Sequence, residues 1–191
     1  MFERFTKDAR AVVQGAAGHA EEARAETVEP EHLLLALLAL LDREGSRASF
    51  ALAALGVGEH RDAVRRELGD ARRRAGLSQS ETEALAGLGI DVTEIVARVE
   101  EAHGVGAMSA DDRKRGRRWS GHRSFSRGAK EVLEKALRVA VARRDRHIGD
   151  EHLLLALALR PGVPAEVLAD HGVTHASLSR VLDEGAGKSC A

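Results

Sequence analysis

Two carboxylates stand where helices would begin, each followed by a histidine and a leucine run: Glu31-His32-Leu33-Leu34-Leu35-Ala36-Leu37 and Glu151-His152-Leu153-Leu154-Leu155-Ala156-Leu157. A carboxylate at a helix start can form a forked pair with a guanidinium, while nearby free amides and a cap hydroxyl favour an anion. The same placement also suits a helix that binds nothing, because acidic groups there complement the helix dipole. The two histidines are expected to be packed side chains whose nitrogens meet backbone carbonyls. Metal binding by them is not expected, since no further His or Cys stands at ligand spacing.

Other chemistries are poorly supported. Gly185-Ala186-Gly187-Lys188-Ser189 ends like a phosphate-binding loop, but the first glycine of that pattern would fall at Leu182, with no strand before it and no helix after it. Without such a loop the chain is not itself a nucleotide-driven motor. Cys190 is the only cysteine, which excludes an intramolecular disulfide and an all-cysteine zinc site within one chain. Nothing around it would lower a thiol pKa. No catalytic arrangement of carboxylates, Ser-His-Asp or glycine-rich turn stands out, so neither an enzyme nor a cofactor is read. The basic run from Arg113 to Arg127, with Trp119 inside it, could contact phosphates and stack on a base. Its plainer reading is a solvated linker, and nucleic acid is not the favoured partner.

The elements that would position the two glutamates occur twice. Sliding the sequence by 120 positions matches Phe5 with Phe125, Thr6 with Ser126, Ala9 with Ala129, Val12 with Val132 and Val28 with Ile148. Thr6 precedes a helical stripe of Val12, Val13, Ala16, Ala17 and Ala20. Ser126 precedes one of Ala129, Val132, Leu133, Ala136, Leu137 and Ala140. Both hydroxyls are expected N-caps. Asp150 is the expected cap of the second leucine-rich helix; in the first copy Pro30 fits the first helical position and moves the cap to Glu29. Gly56 and Gly172 are expected to end a short third helix in each copy, and a fourth helix follows. Between the copies, Leu85 to about His103 resembles the third and fourth helices again. The chain from Glu184 onward reads as a frayed tail.

This predicts an all-α protein of two four-helix repeats, 1–75 and 122–183, in a pseudo-twofold arrangement, with a helical insertion and basic loop at 76–121 and a tail at 184–191. A core with 3% aromatic residues must be built from Leu, Val and Ala, which suits close-packed helices. The formal charge of -1 gives no global field toward nucleic acid or membrane. The longest apolar run, Leu33 to Leu41, is too short to cross a bilayer. The expectation is a cytoplasmic protein with no membrane partner.

These residues resemble the N-terminal domain of the ClpC-type Clp ATPases, the double Clp-N repeat. The resemblance rests on Met1-Phe2-Glu3-Arg4-Phe5-Thr6 with Ala9-Arg10 and Val12-Val13, on Glu31-His32-Leu33-Leu34 and Glu151-His152-Leu153-Leu154, and on Gly121-His122, Phe125-Ser126, Ala129-Lys130 and Val132-Leu133-Glu134. It implies a recognition module whose partners are a Clp ATPase or its substrates and adaptors. It further implies phosphoarginine binding at two places, with Glu31 and Glu151 meeting the guanidinium and Thr6 and Ser126 as cap hydroxyls near the phosphate. A groove shared by the two first helices would take a peptide or cyclic peptide, with Phe2, Arg10, Val13, Phe125, Lys130 and Glu134 at matching positions.

Departures from the family pattern shape the expectation. The threonine that usually precedes the hallmark glutamate is replaced by Pro30 and by Asp150, and a second anionic group at 150 should weaken phosphate binding there. The middle segment is longer than usual and is placed to cover part of the groove. The chain ends where an ATPase would begin, so the expectation is a free-standing adaptor or decoy for the Clp protease system. A nucleic-acid role of the basic loop and a structural oligomerisation role are the alternatives.

Overall fold

The structure, a computed structural model, describes residues 2–108 and 123–188, without the side chains of Phe2 and of 186–188. Arg113 to Arg118, Trp119 and Cys190 lie outside the described residues. Among those described, the chain forms ten α-helices, one 3-10 turn at Phe2–Arg4 and two two-residue strands. The protein is all-α.

Each repeat opens on its hydroxyl cap. Thr6 accepts from the Ala9 amide at 3.1 Å and starts α1 (Lys7–Glu22). Strand β1 (Thr27–Val28) follows, then α2 (Pro30–Ala39), α3 (Arg47–Ala54) and α4 (Val57–Arg73). The insertion forms α5 (Gln79–Gly87) and α6 (Val92–His103). Strand β2 (Ser124–Phe125) leads into α7 (Arg127–Ala142), where Ser126 accepts from the Ala129 amide at 3.1 Å. Then come α8 (Asp150–Leu159), α9 (Val163–Asp170) and α10 (His175–Lys188). The predicted four helices per copy are all present. Gly56 and Gly172 take the left-handed backbone that ends α3 and α9, at φ 79° and 75°.

The predicted apolar stripes are the buried or half-buried faces of α1 and α7, with one exposed exception. Leu137 belongs to the predicted stripe but is 42% exposed, because α7 packs chiefly on α8 through Ala129, Val132, Ala136 and Ala140. Helix α10 continues to Lys188, past the point where the chain is expected to fray. Phe50 lies against Gly185 so closely that a Cβ there would meet its ring at 2.8 Å.

The pseudo-twofold arrangement is visible in the backbone ladder. Val28 pairs with Phe125, and Phe5 pairs with Ile148, both in parallel. These two pairs are each other's images under the 120-residue shift. Each repeat thus lends the segment before its first helix to the segment before the other's second helix. The Ser126 amide donates to the Val28 carbonyl and the Thr6 amide to the Ile148 carbonyl, both at 3.0 Å.

One continuous core unites the repeats. Leu33, Leu34, Leu37 and Leu38 of α2 and Leu153, Leu154, Leu155 and Leu157 of α8 are fully enclosed. Burying each such side chain stabilises the fold by about 1.5–3 kcal/mol before conformational entropy is counted. Helices α2 and α8 also touch each other, so both hallmark glutamates begin helices that are fixed in the middle of the molecule.

Candidate functional site

The crossed ladder decides what each glutamate faces. Because β1 pairs with β2, the start of α2 in the first repeat lies beside the start of α7 in the second. The contact is close: a Cβ on Gly128, in the first turn of α7, would sit 3.2 Å from Pro30 and 2.8 Å from the Arg160 guanidinium. By the same geometry the start of α8 lies beside the start of α1. Glu31 is therefore the neighbour of Ser126's helix, and Glu151 of Thr6's helix.

Around Glu31 a groove of about 400 Å³ opens, lined by Glu26, Thr27, Glu29, Glu31, Arg72 and Arg160 among others. Three carboxylates and two guanidinium groups share one depression. Its floor is rigid: Glu29 caps α2 with extended backbone, its amide donates to His32 Nδ1 at 2.9 Å, and the Thr27 hydroxyl donates to its carboxylate at 2.7 Å. Arg72, near the end of α4, stands 3.7 Å from the Glu31 carboxylate. Arg160 leans across to Glu131 at 3.4 Å. The Glu31 side chain remains 18% accessible.

The equivalent glutamate of the second repeat is covered. The Glu151 side chain is only 6% accessible and its carboxylate is held by Arg47 at 3.0 Å. Burial pushes its carboxyl up to about 7, although its own backbone amide and Arg47 pull the other way. Its shape explains the burial. The carboxylate folds back over Gly149, into the space a Cβ at 149 would occupy. The matching residue in the first repeat is Glu29, whose side chain forbids that fold-back.

Asp150 is not the cap of α8, contrary to the sequence expectation; Gly149 is. The Asp150 carboxylate is 3% exposed and reaches the other repeat, where it accepts from the Ser46 hydroxyl and, at 3.3 Å, from the Ala48 amide. It thereby satisfies one of the free amides at the start of α3, while the Ser46 oxygen accepts from the Ser49 amide. The histidines are packed as expected, but their partners differ. His32 and His152 accept backbone N–H groups at Nδ1, from Glu29 at 2.9 Å and Gly149 at 2.8 Å, where carbonyl partners are expected for the ring nitrogens. His152 Nε2 meets Asp145 at 2.9 Å, and burial holds its pKa below the usual histidine value while Asp145 opposes this. Asp145, Glu151 and His152 come close enough to share an ion. With His152 Nδ1 already accepting and Arg47 beside Glu151, the group reads as a hydrogen-bonded junction.

The second expected site is only partly gathered. A groove of about 560 Å³ is lined by Arg4, Phe5, Phe125, Lys130, Leu133, Glu134, Leu137 and Ile148. It unites three of the expected residues, Phe125, Lys130 and Glu134, around the paired Phe5 and Ile148. Arg10 and Val13 do not line it; Arg10 is exposed on α1 and Val13 is buried. The side chain of Phe2 lies outside the described residues. Thr6 and Ser126 each spend a lone pair on their own helix amide. Arg72 and Arg160, which no sequence spacing singled out, join the first site from α4 and from the end of α8.

The family model described as the Clp repeat (R) N-terminal domain matches residues 4–103 and 124–189. Among solved structures, the N-terminal domain of ClpD, a caseinolytic protease-associated chaperone from Arabidopsis thaliana, is similar over 98% of this chain and 97% of its own, with TM-score 0.54 and 20% identity. A chain from structural work on a malarial protein secretion system is similar over 98% of both chains, with TM-score 0.51 and 13% identity. At these identities the likeness is one of fold.

Proposed function

The chain belongs to the Clp repeat N-terminal domain family, and from that premise we propose that it is a non-catalytic recognition module whose ligand site is the groove at Glu31. The ligand class is a phosphorylated arginine side chain, free or in a peptide. The observation that supports this most is the mixed lining of the groove: Glu26, Glu29 and Glu31 can take a guanidinium, while Arg72, Arg160 and the nearby start of α7 favour a phosphate. Forked carboxylate–guanidinium pairing needs an accessible, ionised acid, and Glu31 is the more accessible of the two hallmark glutamates. In this reading Arg72 is displaced from Glu31 when the ligand arrives.

The module acts beside a Clp ATPase in the cytoplasm, delivering marked substrates as an adaptor or competing for them as a decoy. The apolar groove at Phe5, Phe125 and Lys130 is its second contact, for a peptide or cyclic peptide. An NMR titration with phosphoarginine, using arginine and phosphate as controls, tests the reading. Saturable shifts at Glu31, Arg72 and the first turn of α7, removed by Glu31→Ala, support it. Shifts absent from an intact fold would refute it. A pull-down with purified Clp components separates the roles, since an adaptor must touch the ATPase or the protease and a decoy need not.

A further inference from the structure

The insertion between the repeats contributes little to the fold and presents much to its surroundings. Helix α5 buries no residue and α6 buries only Val92 and Val96, neither of which joins the continuous core. Yet among the eight large apolar side chains exposed in the described residues, four fall here: Leu88 at 78%, Ile90 at 40%, Ile95 at 42% and Val105 at 84%. Asp91 caps α6, accepting from the amides of Thr93 at 2.8 Å and Glu94 at 3.1 Å. Ile90 and Ile95 thus hold the positions of a hydrophobic staple across the cap. The staple accounts for part of their apolar character, but not for Leu88 beside it. Exposed apolar groups concentrated in one short segment of the chain mark interaction surfaces.

The charge of the same segment selects the partner. From Ser78 to His103 the sequence carries Glu81, Glu83, Asp91, Glu94, Glu100 and Glu101 against a single cation of the Lys/Arg type, Arg98. The chain as a whole is nearly neutral, at -1, so this acidity is local. A groove of about 440 Å³ between the two helices has Glu83 and Asp91 in its lining, with Thr82, Ala86 and Thr93. An anionic lipid surface or a nucleic acid would be repelled by these carboxylates, and so would the same face of a second copy.

We propose that the α5–α6 hairpin is a docking surface for a cationic amphipathic helix of a partner protein. The apolar face of that helix lies on Leu88, Ile90 and Ile95, and its lysines or arginines meet Glu83, Asp91 and Glu101, while Glu94 is already paired with Arg98 on its own helix. Anchors spaced i, i+3 or i+4, and i+7 supply the apolar contact, and opposite charge steers the encounter and fixes orientation.

The test uses two synthetic peptides with the same leucines at helical spacing, one with lysine and one with glutamate at every other position. Each is titrated into the isotope-labelled full chain. A parallel arm uses a variant in which Arg113, Lys114, Arg115, Arg117 and Arg118 are replaced by serine, so that the chain's own cations cannot mask the surface. The lysine peptide is expected to shift amides from Leu88 to Ile95 saturably, with an affinity that falls as salt rises. Leu88→Ser, at a position exposed enough to leave the fold intact, should weaken binding by about tenfold. Failure of the lysine peptide to bind in both arms would overturn the proposal. Equal binding of the glutamate peptide, or binding unchanged by Leu88→Ser, would overturn it as well.

Discussion

Arg47, in the first turn of α3, holds the carboxylate of Glu151, in the first turn of α8, at 3.0 Å across the boundary between the repeats. Two segments 104 residues apart thereby lock a glutamate that its sequence twin, Glu31, leaves accessible. The repeats share a fold while their hallmark acids have taken different jobs. Glu31 faces a groove, and Glu151 is part of the seam.

The seam should be sensitive to pH. Glu151 in the folded chain releases its proton near 7, whereas in the unfolded chain it does so near the ordinary value of 4.5. Between those values the folded state binds more protons than the unfolded state. The sign follows: this contribution to stability is complete below 4.5 and is lost as pH rises through 7. Gln, which is always neutral, escapes the loss. The stability of Glu151→Gln relative to wild type should therefore grow between pH 5 and pH 8, by on the order of 3 kcal/mol. His152, lowered by burial, acts in both proteins and largely cancels from the difference. Urea unfolding at several pH values measures it, and a difference that stays flat would contradict the assignment.

Asp150 and Ser46 should be coupled. Removing the buried Asp150 carboxylate leaves the Ser46 hydroxyl and the Ala48 amide without this acceptor. Asp150→Ala is expected to cost about 1–3 kcal/mol. In a double-mutant cycle with Ser46→Ala the coupling should exceed about 0.5 kcal/mol. Additive losses would mean that the contact across the repeats carries no energy of its own.

Gly149 should act as the latch of the second site. Its backbone, at φ −87° and ψ 172°, is open to any residue, so the glycine is there for space rather than for conformation. Gly149→Ala drives the Glu151 carboxylate out of its fold-back position. The measured Glu151 pKa should then fall toward 4.5 as the group gains solvent, which NMR titration of the side-chain carbon reads directly. An unchanged pKa would show that Arg47 alone positions the group.

Much of this was legible in the sequence, and the limits have physical causes. Thr6 and Ser126 announced their helices because a cap is a local feature: one hydroxyl and one amide three residues on. The all-α class and the twofold repeat followed from periodicities and from the 120-residue shift. Asp150 misled because its partners, Ser46 and Ala48, lie about a hundred residues away, and no local pattern records such a contact. Leu137 fitted the helical stripe of α7 yet remains exposed, since period alone does not fix how wide a face the neighbouring helix covers. Arg72 and Arg160 were invisible because the groove is assembled from the ends of helices that the crossed ladder brings together.

The most direct measurement of the central claim is the stoichiometry of phosphoarginine binding by isothermal titration calorimetry. With one hallmark glutamate facing a groove and its twin locked in the seam, the account predicts one ligand per chain, abolished by Glu31→Ala and retained by Glu151→Gln. Two ligands per chain, or loss of binding in Glu151→Gln with Glu31 intact, would contradict it.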